Sequence, residues 1–254
     1  MRHPDWLVPE WPVPQVGAVM TTRRGGVSAG PFESLNLRHD IGDDARAVAR
    51  NHALLADAIG ATPVWLNQVH GCRVVRLTAA DLQTDAPVHE ADASVTCEPG
   101  IACAAQVADC LPVLFAAPLG RAVGAAHAGW RGLALGVLEA TLQAVCEAAG
   151  CEPREVRAWL GPCIGPTVFE VGADVPAAFG IAPGTPRFRS QPHGKWLADL
   201  PGLASDRLRA AGATELSGGR WCTVSEPSRF FSYRRDRVTG RMAALVWIER
   251  GSLG

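Results

Sequence analysis

Apolar and polar positions change period several times along the 254-residue chain, and the changes divide it into candidate elements. In DDARAVARNHALLADAIG, residues 43–60, Ala45, Val48, Leu55 and Ile59 fall roughly on one helical face. That helix opens on Asp43 or Asp44 as a cap and closes on Gly60. In RGLALGVLEATLQAVCEAAG, residues 131–150, Leu135, Leu138, Leu142 and Val145 keep helical spacing up to Gly150, which predicts a second helix. A third is expected around 203–212. Short β-branched or apolar runs predict strands at 64–66, 73–77, 93–97, 101–107, 111–116, 121–127, 156–160, 220–224 and 242–248. Several adjoin with no helix between them, so strict β–α–β alternation is missing and a purely parallel, doubly wound sheet is disfavoured. A mixed-sheet α+β domain is the better expectation. No internal repeat or low-complexity linker divides the chain.

The apolar stretch 99–128 is broken by Asp109, Arg121, glycines and prolines, which is too interrupted for a membrane helix. The first twenty residues carry four prolines and no apolar run of signal-peptide type. A soluble, cytoplasmic protein is therefore expected, with no membrane partner. Apolar residues at 48% and charged ones at 19% can fill a core and exclude a disordered chain. A net charge of −1 argues against a dedicated nucleic-acid binder. Eight cysteines, at 72, 97, 103, 110, 146, 151, 163 and 222, form no regular framework and no Cys-x-x-Cys pair. Reduced thiols are expected, and a structural zinc ribbon is not.

The polar groups inside the apolar stretch carry the chemistry. Asp109, Cys110 and His127 interrupt residues that otherwise read as protein interior, and such groups cost stability unless paired or used. His70, in WLNQVHGCRVV, stands in a similar strand-to-glycine context. If these strand ends lie side by side, two imidazoles and a thiolate converge and leave a fourth position open, the pattern of a catalytic zinc. The separations of 40 and 17 residues match no short metal motif. From spacing alone the metal reading is weak, and a buried cysteine with two hydrogen-bonded histidines, or a metal-free Cys–His nucleophile pair, stands beside it. Asp109 either orients a histidine from behind or caps a turn. RFFSYRRDRVTGR, residues 229–241, holds five arginines and three aromatics, which suit a phosphate and a flat base or else a solvated turn. LGPCIGPTVFEVG, residues 160–172, is a rigid loop in which Cys163 lines a pocket or packs. No glycine-rich nucleotide loop is present.

Taken in order, SLNL with IGDD, NQVHG, ADC, HAGWRG, GPCIGP with FEVG, and FFSYRRD with TGR resemble the laccase-domain family, also called YfiH-like or polyphenol oxidase, over residues 18–248. The resemblance implies a single α+β domain of mixed sheets packed face to face with helices outside, in α/β/β/α layers. It implies a zinc bound by His70, Cys110 and His127. It implies a purine nucleoside phosphorylase acting on adenosine, inosine and methylthioadenosine, with adenosine deaminase activity beside it, and a monomer whose partners are a nucleoside and phosphate. Arg131, Arg229, Arg234 and Arg235 are then expected around an anion pocket, since guanidinium suits bidentate oxygen contacts. The chain departs from the family at Arg38, where a glycine usually follows SLNL, and this leaves substrate preference open. The family's older name suggests a multicopper laccase, but seven histidines with no His-x-His pair do not suit several coppers. Copper is expected only as an adventitious or alternative metal with weak oxidase activity. The rival from another class is a metal-free hydrolase or deamidase, with Cys110 as nucleophile and His127 as base.

Overall fold

The computed structural model describes residues 2–182 and 184–251. In chain order the strands are β1 (Val16–Met20), β2 (Thr62–Val64), β3 (Val74–Arg76), β4 (Ala93–Thr96), β5 (Ile101–Val107), β6 (Leu111–Ala116), β7 (Val123–Ala128), β8 (Arg157–Leu160), β9 (Glu170–Val171), β10 (Phe188–Gln191), β11 (Lys195–Ala198), β12 (Glu215–Gly218) and β13 (Met242–Ile248). The α-helices are α1 (Ala45–Ile59), α2 (Trp130–Ala134), α3 (Val137–Ala149), α4 (Asp174–Ala178), α5 (Leu200–Ala210) and α6 (Tyr233–Asp236). A mixed six-stranded sheet runs β12-β8-β6-β7-β4-β3, a four-stranded one β1-β13-β5-β2, and a small three-stranded one β10-β11-β9.

Side-chain alternation explains the layers. Ile101, Cys103 and Ala105 of β5 and Met242, Ala244 and Val246 of β13 meet Leu114, Val123 and Ala125 of the six-stranded sheet in one core. The opposite face of the six-stranded sheet packs Val113, Phe115 and Ala126 against Leu138, Leu142 and Val145 of α3 and Leu203 and Leu208 of α5. The opposite face of the four-stranded sheet packs Ala102, Ala104 and Leu245 against Leu55 and Ile59 of α1. The order is therefore α/β/β/α, as expected. The central strands are buried on both faces, which is why they read as unbroken apolar runs. Among the described residues no helix is long and apolar enough to cross a membrane.

Three expectations need correction. The helix expected over 131–150 is two helices, broken at Gly136 in the left-handed region with φ 94°. Leu135 is then 64% exposed, while Leu133 and Val137 on either side are fully buried. Residues 220–224 are not a strand. Cys222 makes only an isolated bridge to Cys163, because Glu226 closes a turn on it with its side chain and its N–H. Glu215–Gly218 instead pairs in parallel with β8. The third helix starts at Leu200, earlier than expected, because the Asp199 side chain caps it by accepting from Gly202 N (3.0 Å).

Candidate active site and metal centre

The site lies where the six-stranded sheet ends. β6 and β7 are antiparallel, with Pro112 opposite His127 and Leu111 opposite Ala128, so Cys110 sits beside the end of β7. Val123 and Ala125 face the inter-sheet core, so His127, two residues on, points to the same side, and it is 3% exposed. His70 comes from the loop between β2 and β3, not from a strand end, in a left-handed conformation with φ 62°, and is exposed.

One carboxylate holds both halves together. Asp92, buried just before β4, accepts hydrogen bonds from the backbone N–H groups of Val69 (3.1 Å), His70 (2.9 Å) and Gly71 (2.7 Å). It also takes the Nδ1 of His127 at 2.8 Å. That bond fixes the ring and leaves Nε2 of His127 facing the cluster. The rings of His70 and His127 meet edge to face at 4.8 Å, and Cys110 Sγ lies 3.8 Å from His70 Nε2. The donor atoms of His70, Cys110 and His127 all lie within 4.8 Å of one another. Zinc–nitrogen and zinc–sulfur bond lengths give a tetrahedral edge of about 3.5 Å. The donors stand wider than that edge and would have to draw together around an ion, but soft and borderline donors, one of them braced by a carboxylate, suit a transition metal. Gly129 makes room for them: a Cβ there would lie 2.8 Å from His70 Cδ2 and 3.0 Å from Cys110 Sγ.

The electrostatics match a ligand set. Withdrawal from water would push the Cys110 thiol up, but the charge of His127 and hydrogen bonds from both histidines hold it down to about 6. Burial alone would push His127 down, and the Cys110 thiolate together with Asp92 raises it to about 9. The pair therefore favours thiolate and imidazolium, the state in which a cation can replace the shared proton.

The cleft around the cluster has two lobes that meet at Ala108, Cys110 and Tyr233. The larger, 330 Å³, is lined by Arg38, Gln68, Gln106, Arg241 and the two histidines. The smaller, 160 Å³, is lined by Trp130, Ile164, Phe169, Leu200 and Arg234.

Of the residues singled out in the sequence, His70, Cys110 and His127 come together. Asp109 does not touch a histidine. Held at φ 92°, its carboxylate accepts from Thr223 Oγ1 and from Arg234 N, each at 2.6 Å. It thus ties the arginine-rich segment to the site. Arg234 lines the smaller lobe, donates to Glu170 O (2.9 Å) and lies 5.4 Å over the Phe169 ring. Arg131 packs on Trp130 at 4.3 Å. Arg229 pairs with Glu226 at 3.1 Å. Arg235 braces the carbonyls of Thr223, Val224 and Phe230 at 2.7–3.1 Å. These last three are in the lining of neither lobe. Cys163 is fully buried and packs, while its neighbour Ile164 reaches the cleft. Sequence reasoning missed Asp92, Gln106, Trp130 and Arg241 as site residues. Asp92 carried one signal, a carboxylate immediately before a fully buried strand.

A family model described as multi-copper polyphenol oxidoreductase laccase matches residues 17–249. The chain belongs to this family. It is 48% identical over 248 residues to a purine nucleoside phosphorylase of Pseudomonas aeruginosa, covering 96% of this chain and 98% of that one. It is 46% identical to the purine nucleoside phosphorylase YfiH of Escherichia coli, covering 95% and 98%. Among solved structures, a Neisseria meningitidis protein is 44% identical with a TM-score of 0.87, covering 97% of this chain and all of that one. YlmD of Geobacillus stearothermophilus is 32% identical with a TM-score of 0.89, covering 98% of each. Among the described residues of this family member, His70, Cys110 and His127 are the one group of three or more such donors close enough to share an ion.

Proposed function

We propose that the chain is a zinc-dependent purine nucleoside phosphorylase acting on adenosine, inosine and methylthioadenosine, with adenosine deaminase activity at the same site. It is read as a cytoplasmic monomer whose partners are a nucleoside and phosphate, not membrane or nucleic acid. The observation that carries this reading is the position of the His–Cys–His cluster at the junction of a polar lobe and an aromatic one. The names of the relatives support the same reaction.

In this reading the flat base enters the lobe of Trp130, Ile164, Phe169 and Leu200, where ring stacking and apolar contact hold it. Phosphate attacks the ribose carbon that bears the base, and the carbon–nitrogen bond breaks with its electron pair going to the purine. The departing purine needs a hydrogen-bond donor, and Arg234 and Tyr233, at the edge of that lobe, are placed to provide one. Asp109 fixes the Arg234 backbone so that its side chain stays at the rim. Asp92 keeps the ring of His127 and the loop of His70 in register with Cys110. Zinc held by these three residues would supply Lewis acidity and lower the pKa of a water toward neutrality. The amino-bearing carbon of adenine and the ribose carbon lie at opposite ends of the base, so either the two reactions take two binding poses or the metal serves only one of them directly.

Adenosine incubated with and without phosphate tests the proposal. Adenine and ribose 1-phosphate should form only with phosphate, and inosine in both cases. An absence of phosphate-dependent product would overturn it. A second reading, a metal-free Cys–His hydrolase or deamidase, draws on the lowered Cys110 pKa. It would be supported if the purified chain carried no zinc and Cys110→Ser still abolished its activity. Copper in the same ligand set would give only a weak oxidase side activity.

A further inference from the structure

Two arginines of the larger lobe take no part in the proposed reaction so far. Arg38 follows the buried segment Leu35–Leu37, and Arg241 immediately precedes β13. They are remote in sequence, yet a single side chain positions both. Asn36 is fully buried, and its Oδ1 accepts from Arg38 N (3.0 Å) and from Arg241 N (2.9 Å). Its Nδ2 donates to Arg38 O (3.0 Å) and to Asp43 Oδ2 (2.9 Å). Leu37 N donates to Arg241 O at 3.0 Å, which closes the junction.

The side chains are tethered at the same junction. Arg38 NH1 donates to Gln106 Oε1 at 3.1 Å. Gln106 is itself clamped: its N–H donates to Gln68 Oε1 and its carbonyl accepts from Gln68 Nε2, both at 2.8 Å, while its Nε2 donates to Leu37 O. Arg241 NH1 donates to Thr239 O (3.0 Å) and Gly240 O (3.1 Å), and its guanidinium lies 5.6 Å over the Tyr233 ring. Every one of these acceptors is neutral. Among the described residues the arginines with a carboxylate partner are Arg157, Arg187, Arg207, Arg229 and Arg235. Arg38 and Arg241 therefore bring two like charges with no carboxylate hydrogen-bonded to either into one cavity beside the cluster, where Cys110 and Asp109 are the anions acting on Arg241, and most of their guanidinium donors remain free. Burial, and after it the charge of Arg38, lowers the pKa of Arg241 against the opposing pull of Cys110 and Asp109. A tetrahedral dianion with several acceptor oxygens supplies that charge and matches the forked donors.

We propose that Arg38 and Arg241 form a subsite for a phosphate group, either inorganic phosphate or the phosphate of a nucleotide, in the larger lobe beside the His70–Cys110–His127 cluster. With inorganic phosphate as occupant, the inference rests on the phosphorylase reading. The attacking oxygen then enters from the arginine side and the purine leaves toward Trp130 and Phe169. One carbon–oxygen bond forms as the carbon–nitrogen bond breaks, and the proton lost by hydrogen phosphate balances the one the purine gains.

The test uses the purified full chain and its Arg38→Gln, Arg38→Lys and Arg241→Gln variants. Thermal unfolding is followed while inorganic phosphate, or separately adenosine monophosphate, is titrated. Phosphorolysis is measured in parallel. Wild type should be stabilised by at least one of the two ligands. In Arg38→Gln the concentration needed should rise about ten- to a hundredfold, the loss of a charge-assisted hydrogen bond. Its KM for phosphate should rise by a similar factor while its KM for the nucleoside stays within about twofold. Arg38→Lys, which keeps the charge without the fork, should fall between. If Arg241→Gln fails to fold, the Arg38 pair carries the test. Stabilisation by the nucleotide alone would assign the subsite to a nucleotide phosphate. An Arg38-dependent phosphate response without any phosphorolysis would uphold the subsite and remove the phosphorylase reading. Wild-type response to both ligands in Arg38→Gln, or no response to either in wild type, would overturn the proposal.

Discussion

His127 and His70 reach the same point by opposite routes. His127 stands in a fully buried strand, and the ladders of β4 and β6 on either side fix its backbone. His70 stands on an exposed loop whose backbone is held to the sheet by the carboxylate of Asp92. That carboxylate also holds the ring of His127. The strand side of the cluster is thus secured by cooperative sheet structure, and the loop side by one buried anion. Such an arrangement gives the larger lobe one wall held by strand pairing and one held by a loop.

The sharpest way to break this comparison is Asp92→Ala. It leaves three backbone N–H groups and a buried imidazole without their acceptor, and should cost about 3 kcal/mol or more in denaturant unfolding, with loss of metal binding. Asp92→Asn keeps the shape and should lose less stability, but its metal affinity should fall about ten- to a hundredfold. A wild-type midpoint for Asp92→Ala would show that the loop is held by something else.

Next in size is the difference between the two histidines. His127→Ala and His70→Asn should both lose metal and activity. Only His127→Ala should unfold earlier, by about 2 kcal/mol, because it opens a buried site and removes a donor from Asp92. Asn tolerates the left-handed backbone at position 70, so His70→Asn should stay within about 0.5 kcal/mol of wild type. Equal destabilisation of the two variants would erase the distinction between wall and loop.

The smallest effect is expected from Gly129→Ala. The new methyl would meet the His70 ring and Cys110 Sγ at 2.8 and 3.0 Å. The exposed ring should yield, lowering metal affinity about tenfold in a chelator competition while stability changes by about 1 kcal/mol. Unchanged affinity would mean that the cluster is looser than its geometry implies.

What the sequence disclosed depended on how local the signal was. β5, β6 and β13 were legible to the residue because burial on both faces leaves an uninterrupted apolar run. The break at Gly136 was hidden because helical spacing continues across it, and Leu135 kept the pattern while pointing into solvent. The β9–β11 sheet was missed because its strands are short and partly exposed and show no clear alternation. In the site, His127 and Cys110 stood out as costly groups in apolar surroundings and His70 by its strand-to-glycine context, and the family resemblance brought them together. Asp92 did not stand out, since its partners come from residues 69–71 and 127 and no local spacing joins them. Arg38 was visible as a departure from the family pattern. Its neighbour in space, Arg241, lay in an arginine-rich run that suits a phosphate or a solvated turn and was not picked out from it.

The most direct test of the central claim, that His70, Cys110 and His127 form one metal centre serving the reaction, is the metal content of purified wild-type and Cys110→Ser protein, determined alongside phosphorolysis on the same samples. The account predicts about one zinc per wild-type chain, with zinc and activity lost together in the variant. Full activity in metal-free wild type, or full zinc with no activity in Cys110→Ser, would contradict it.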